Sequence, residues 1–100
     1  MLPKNRPPTS PGDILKYEFL DPLAMTQQQL AEAIGVTRVR INEIISAKRG
    51  ITPDTALRLA RFFKTSSDFW LGLQMDYDTW HTLQAHKRDY DKIKPLKQAA

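Results

Sequence analysis

Residues 27–46 read QQQLAEAIGVTRVRINEIIS, and this stretch decides the fold. Small Ala31 allows a second helix to cross the first closely, Gly35 accepts positive φ in a turn, and Ile41 and Ile44 hold the second helix against a core. Leu30, Ile34 and Val36 complete the apolar pattern of a helix-turn-helix. Thr26 with Gln29 three residues on is a capping box for the first helix. Thr37 caps the second, whose Ile41, Ile44 and Ile45 recur at helical spacing and which ends near Lys48-Arg49-Gly50.

The same punctuation extends outward. Ser10-Pro11-Gly12-Asp13 combines an N-cap serine, proline at the first helical position and an early acid, so a helix starts there and ends before Pro22. Its Ile14, Leu15 and Phe19 lie near one face. Thr52-Pro53-Asp54 repeats that signature and opens a fourth helix carrying Ala56, Leu57, Leu59, Ala60 and Phe63. Ser66 or Ser67 opens a fifth, in which Phe69, Leu73, Tyr77 and Trp80 recur every three or four residues to about Leu83 or beyond. Strand alternation, hairpin dipeptides and internal repeats are absent. The expectation is an all-α, five-helix domain over residues 10–85, preceded by a flexible basic arm (1–9) and followed by a polar tail (86–100).

A chain of 100 residues suits one domain and excludes separate cofactor and substrate domains. With 41% hydrophobic and 26% charged residues it is composed to fold unaided. The absence of cysteine rules out disulfides, thiolate zinc sites, iron–sulfur clusters and a thiol nucleophile, and fits a cytoplasmic protein. No signal or membrane-spanning run is present in the sequence.

The net charge of +4 is unevenly spread. Between Arg38 and Lys64 seven basic residues face only two acids, Glu43 and Asp54, whereas Ser66 to Thr82 holds three acids and no Lys or Arg. One part of the fold therefore attracts polyanions and another does not. On a helical wheel the isoleucines face inward, which turns Val39, Asn42, Glu43 and Ser46 outward with Arg38 and Arg40 flanking. An exposed valine suits a thymine methyl, and Arg38 suits guanine N7 and O6. Glu43 either accepts from cytosine N4 or pairs with Arg40 at i, i+3; the sequence leaves both open. Base readout is thus expected from Arg38, Val39, Asn42 and Glu43. Phosphate contacts are expected from Gln27, Gln28, Thr37, Arg40, Ser46, Lys48 and Arg49, which cluster at helix ends beside the reading face. The expected partner is double-stranded operator DNA.

Three further segments carry a resemblance: Ser10-Pro11-Gly12-Asp13-Ile14-Leu15, the run TALRLARFF at 55–63, and FWLGLQ at 69–74 with Tyr77-Asp78. With the helix-turn-helix between them, residues 10–83 resemble the HigA/VapI antitoxins of the Xre-like helix-turn-helix superfamily. The resemblance implies a lambda-repressor-like five-helix domain, a homodimer, autorepression of an operon and neutralisation of a ribonuclease toxin of the HigB/RelE type. The sequence departs from the family in carrying Ser10 where histidine often precedes Pro-Gly, and Lys64 where glycine often follows the fourth helix.

Asp76, Asp78, His81 and His86 form the only cluster reminiscent of a metal or acid–base site, and without cysteine they are too few and too weakly spaced for one. No enzyme activity, metal or cofactor is expected. The aromatic stripe of the fifth helix is more apolar mass than one end of a small domain hides. Phe69 and Leu73 are assigned to the core, and Trp70, Tyr77 and Trp80 to a homodimer contact. A dimer sets two recognition helices about 34 Å apart, matching successive major-groove turns. The alternative is a free-standing regulator with no toxin partner, or, more weakly, a protein-binding module whose helix-turn-helix no longer touches DNA.

Overall fold

A computed structural model describes residues 6–97; the first five residues of the expected arm and the last three of the expected tail lie outside the described residues. Five helices follow in chain order: α1 (Pro11–Ile14, continuing unbroken as a π-helical segment Leu15–Leu20), α2 (Gln27–Ile34), α3 (Arg38–Ile45), α4 (Pro53–Phe63) and α5 (Ser67–Asp91). Each starts at a side-chain cap that accepts from the backbone N–H three residues on: Ser10, Thr26, Thr37, Thr52 and Ser66. At Thr26 the reciprocal bond from Gln29 completes the capping box. Gly35 ends α2 in the left-handed region, at φ 73°.

Two features depart from the local reading. The first helix widens after Ile14, with Asp21 N–H donating to Lys16 O at 2.9 Å and Met25 N–H to Leu20 O at 2.9 Å. Residues five apart then share a face, so Leu15 and Leu20 are both buried while Ile14 is only partly so. The fifth helix runs past residue 85 to Asp91, and its φ/ψ leaves the helical region at His86. Pairs between His86 and Asp89 and between Lys87 and Asp91, each at 3.5 Å, support this last stretch, which was expected to begin a tail.

The core takes Leu15 and Leu20 from α1, Leu30, Ala31 and Ile34 from α2, Ile41 and Ile44 from α3, Ile51 from the following loop, Ala56 and Leu59 from α4, and Trp70 from α5. Trp70 is 0% exposed. Its ring centroid lies 4.9 Å from Phe19, and its indole N–H donates to Thr65 Oγ1 at 2.8 Å. A residue so enclosed has no surface left for a partner, which corrects its assignment to a dimer contact. Phe69 takes the outward position instead, 40% exposed, and Leu73 is half-buried. The reversal arises because Phe19 and Phe63, 4.8 Å apart, form an aromatic seat that accepts the larger ring with its polar edge satisfied.

Gly12 fixes how α1 meets α3. A Cβ there would fall on the Ile44 carbonyl oxygen and within 2.7 Å of Ile45 Cα. The glycine therefore serves a close backbone approach as well as the start of a helix. The molecule measures 54 × 26 × 21 Å, and the residues of α5 beyond Trp80 are exposed. Among the described residues no helix is long and apolar enough to cross a membrane.

Candidate nucleic-acid interface

Burying Ile41 and Ile44 leaves the opposite edge of α3 in solvent. Val39 is 65% exposed, Arg38 and Asn42 are exposed, and Glu43 is half-buried. Val39 is one of several exposed large apolar residues among those described, and it is the one that stands on the outward edge of α3. Asn42 Nδ2 donates to Gln27 Oε1 at 3.3 Å, so the start of α2 is tied to the middle of α3. Gln28, also at that start, donates to Glu32 Oε2 at 3.2 Å.

The cations on this face fall into two sets. Arg40 Nη1 donates to Asp54 Oδ2 at 3.0 Å, and Arg49 donates from Nε and Nη2 to Glu43 Oε1 at 3.0 and 2.8 Å. The pair considered from sequence, Arg40 with Glu43, is thus replaced by two others. Arg40 leans across to the first turn of α4, while the chain reversal after α3 carries Arg49 back over Glu43. Arg38 and Lys48 form no ion pair among the described residues.

The hydroxyls differ as well. Thr37 Oγ1 accepts from Arg40 N–H at 3.1 Å and keeps its own proton to donate. Ser46 donates its proton to the Asn42 carbonyl at 2.7 Å, so as it stands it has no hydrogen to offer a phosphate.

Four residues outside the expected set hold this face in place. Asp54 Oδ2 accepts from both Arg40 and Arg58, each at 3.0 Å, and these guanidiniums, Arg40 foremost, hold its carboxyl below the usual carboxylate range. Arg58 also donates to Ile34 O at 2.7 Å, where α2 ends and the turn begins. Gln74 accepts from Ile51 N–H at 2.7 Å and donates to Asp78 Oδ1 at 2.8 Å, pinning the segment that follows Lys48 and Arg49 to α5. Gly12 is the fourth, through its contact with the end of α3. Arg58, Gln74 and Gly12 were signalled by the segments TALRLARFF, FWLGLQ and Ser-Pro-Gly-Asp, and Asp54 by the helix start Thr52-Pro53-Asp54, signals that show a residue is placed but not what it touches.

Of the dimer candidates, Tyr77 and Trp80 are half-buried. The His81 ring contacts both, tilted against Tyr77 at 4.4 Å and edge-on to Trp80 at 5.0 Å between ring centroids. Among the described residues no three His, Asp or Glu side chains converge on a possible metal position.

Residues 16–70 match the helix-turn-helix family. The chain is 47% identical over 72 residues to virulence-associated protein I of Dichelobacter nodosus, covering 72% of this chain and 67% of that one. It is 35% identical over 96 residues to antitoxin HigA-1 of Vibrio cholerae, covering 96% and 90% of the two chains. The solved structure of Pseudomonas aeruginosa antitoxin HigA with the higBA promoter superposes with a TM-score of 0.86 at 38% identity, covering 89% of this chain and 98% of that chain. Two of these relatives are named antitoxins, and one of them was solved with a promoter. With the family match over more than half of its length and relatives at 35% to 47% identity, the chain belongs to the HigA/VapI-type antitoxins of the Xre-like helix-turn-helix superfamily.

Proposed function

We propose that this protein is a dimeric, operator-binding autorepressor and the antitoxin of a type II module, neutralising a HigB/RelE-type ribonuclease in the cytoplasm. The observation that carries the DNA-binding part is the α3 edge. Val39 stands exposed beside Arg38, with no ion pair to Arg38 among the described residues, on a helix whose opposite face is buried. In a major groove Arg38 donates twice to a guanine, Val39 packs on a thymine methyl, and Asn42 and Glu43 address the neighbouring bases. Gln27, Gln28, Thr37, Arg40, Lys48 and Arg49 flank that edge and anchor the phosphates, Ser46 joining them once its hydroxyl turns from the Asn42 carbonyl to the phosphate. The promoter complex of the Pseudomonas aeruginosa relative supports this reading.

Dimerisation is assigned to Tyr77 and Trp80 on α5, since one short recognition helix buries too little for tight operator binding. Toxin neutralisation is supported by likeness to antitoxin HigA-1. Two experiments test the proposal. The protein should retard a duplex taken from upstream of its own gene and leave a scrambled duplex free at the same concentration. Co-expression with a small toxin-like reading frame beside the gene should restore growth. Operator binding without rescue, from abundant folded protein, would leave a free-standing regulator.

A further inference from the structure

The only two acids within the basic stretch of residues 38–64 both sit against arginines of the DNA face. Glu43 is the one that lies on the reading helix itself. Its Oε1 takes both donors of one guanidinium edge of Arg49, and backbone N–H groups of Lys48 and Arg49 return to the Glu43 carbonyl at 2.8 and 3.2 Å. A single residue therefore holds both the side chain and the backbone of the phosphate-facing segment. While the pair persists, Arg49 adds no net charge, and a carboxylate faces the groove.

We propose that Glu43 is a specificity latch that releases Arg49 to the DNA backbone only where the base edge supplies a hydrogen-bond donor. This rests on the DNA-binding reading above. The exchange follows from the groove's chemistry. Cytosine N4 and adenine N6 offer N–H groups that the carboxylate accepts while a phosphate takes over the guanidinium of Arg49. Guanine O6 and N7 and thymine O4 are acceptors, so opposite them the carboxylate has no partner but Arg49 and keeps it. On mismatched DNA the protein thus forgoes a phosphate anchor together with a base hydrogen bond, which is discrimination by withholding an attraction as well as by repulsion.

The test uses the full-length protein, a duplex from upstream of its own gene and a scrambled duplex of equal length, titrated at several salt concentrations. Glu43→Gln keeps an acceptor but discharges the latch. It should tighten binding to the scrambled duplex by roughly threefold to tenfold and steepen its log K against log salt slope by about one unit per protomer. Operator affinity should change less, so the discrimination ratio falls. Adding Arg49→Ala to Glu43→Gln should return the scrambled-duplex affinity to the wild-type value. Weaker operator binding by Glu43→Gln with scrambled binding unchanged would make Glu43 a plain base reader and overturn the latch. A parallel fall on both duplexes with a lowered melting temperature would make the pair merely structural and overturn it too. Failure of the wild-type protein to prefer the upstream duplex would instead strike the DNA-binding reading itself, a result separable from either of these.

Discussion

Arg58 donates from Nη1 to the Ile34 carbonyl at 2.7 Å, so α4 closes the C-terminus of α2 across 24 positions of chain. The same guanidinium holds Asp54 through Nε, and a lysine has no second donor edge with which to serve both. Arg58→Lys should therefore behave much like Arg58→Ala. Each should lower stability by about 1 kcal/mol, below the roughly 1.5–3 kcal/mol of a hydrogen bond to a charged group because the side chain is partly exposed. Urea titration measures this. An unchanged midpoint for Arg58→Lys would show that a single point charge suffices.

Asp54 links that bond to the recognition helix, and its acidity gives a pH signature. Its carboxyl is held below the usual range by Arg40 and Arg58, so the stabilisation is present at neutral pH, above its unfolded pKa. It is lost as pH falls through the carboxylate range toward the depressed folded value. The stability gap between wild type and Asp54→Asn should be largest near neutrality and narrow on acidification. A gap constant with pH would remove the charge from the explanation.

Two glycines predict opposite outcomes for one substitution. Gly12→Ala drives a methyl into the backbone of Ile44 and Ile45, and should cost about 1–3 kcal/mol while weakening operator binding through displacement of α3. Gly72 has nothing within 4 Å of its added Cβ and lies inside α5. Gly72→Ala should gain up to about 1 kcal/mol from helix propensity alone. Thermal melts of both variants, with operator titration of the first, check the pair.

Lys64 ends α4 in the left-handed region at φ 59°, a conformation that favours glycine. A lysine Cβ is crowded there and a glycine is not. Lys64→Gly should raise stability by about 1 kcal/mol despite the charge removed, without altering operator affinity. A decrease in melting temperature would show that the side chain makes a contribution the backbone strain does not exceed.

Base reading and phosphate anchoring separate by salt dependence. Arg38→Ala should cost roughly 1–3 kcal/mol on operator and relax preference at one position, with a smaller loss on scrambled duplex. Lys48→Ala should weaken both duplexes alike and flatten the salt slope by about one unit for each phosphate left without its lysine. Equal losses on both duplexes for Arg38→Ala would make that arginine a phosphate clamp.

The helix starts were legible because capping is local. Ser10, Thr26, Thr37, Thr52 and Ser66 each bond to a backbone N–H three residues on, a reach that depends on no other part of the molecule. The inward isoleucines of α3 and the exposed Val39 followed from the helical period in the same way. The aromatic stripe of α5 was visible as apolar mass, but periodicity does not say which ring a neighbouring helix seats.

By itself, then, the chain determined five helices, the turn at Gly35 and an outward basic edge, all properties set within one or two turns of backbone. Tertiary structure alone decided that Trp70 is enclosed and Phe69 turned out, that Arg40 pairs with Asp54 and Arg49 with Glu43, and that Gln74 holds Ile51. Those choices depend on the angle and depth at which helices cross. Gly12 against Ile44 sets one such crossing, and a contact between backbones has no signature in residue spacing.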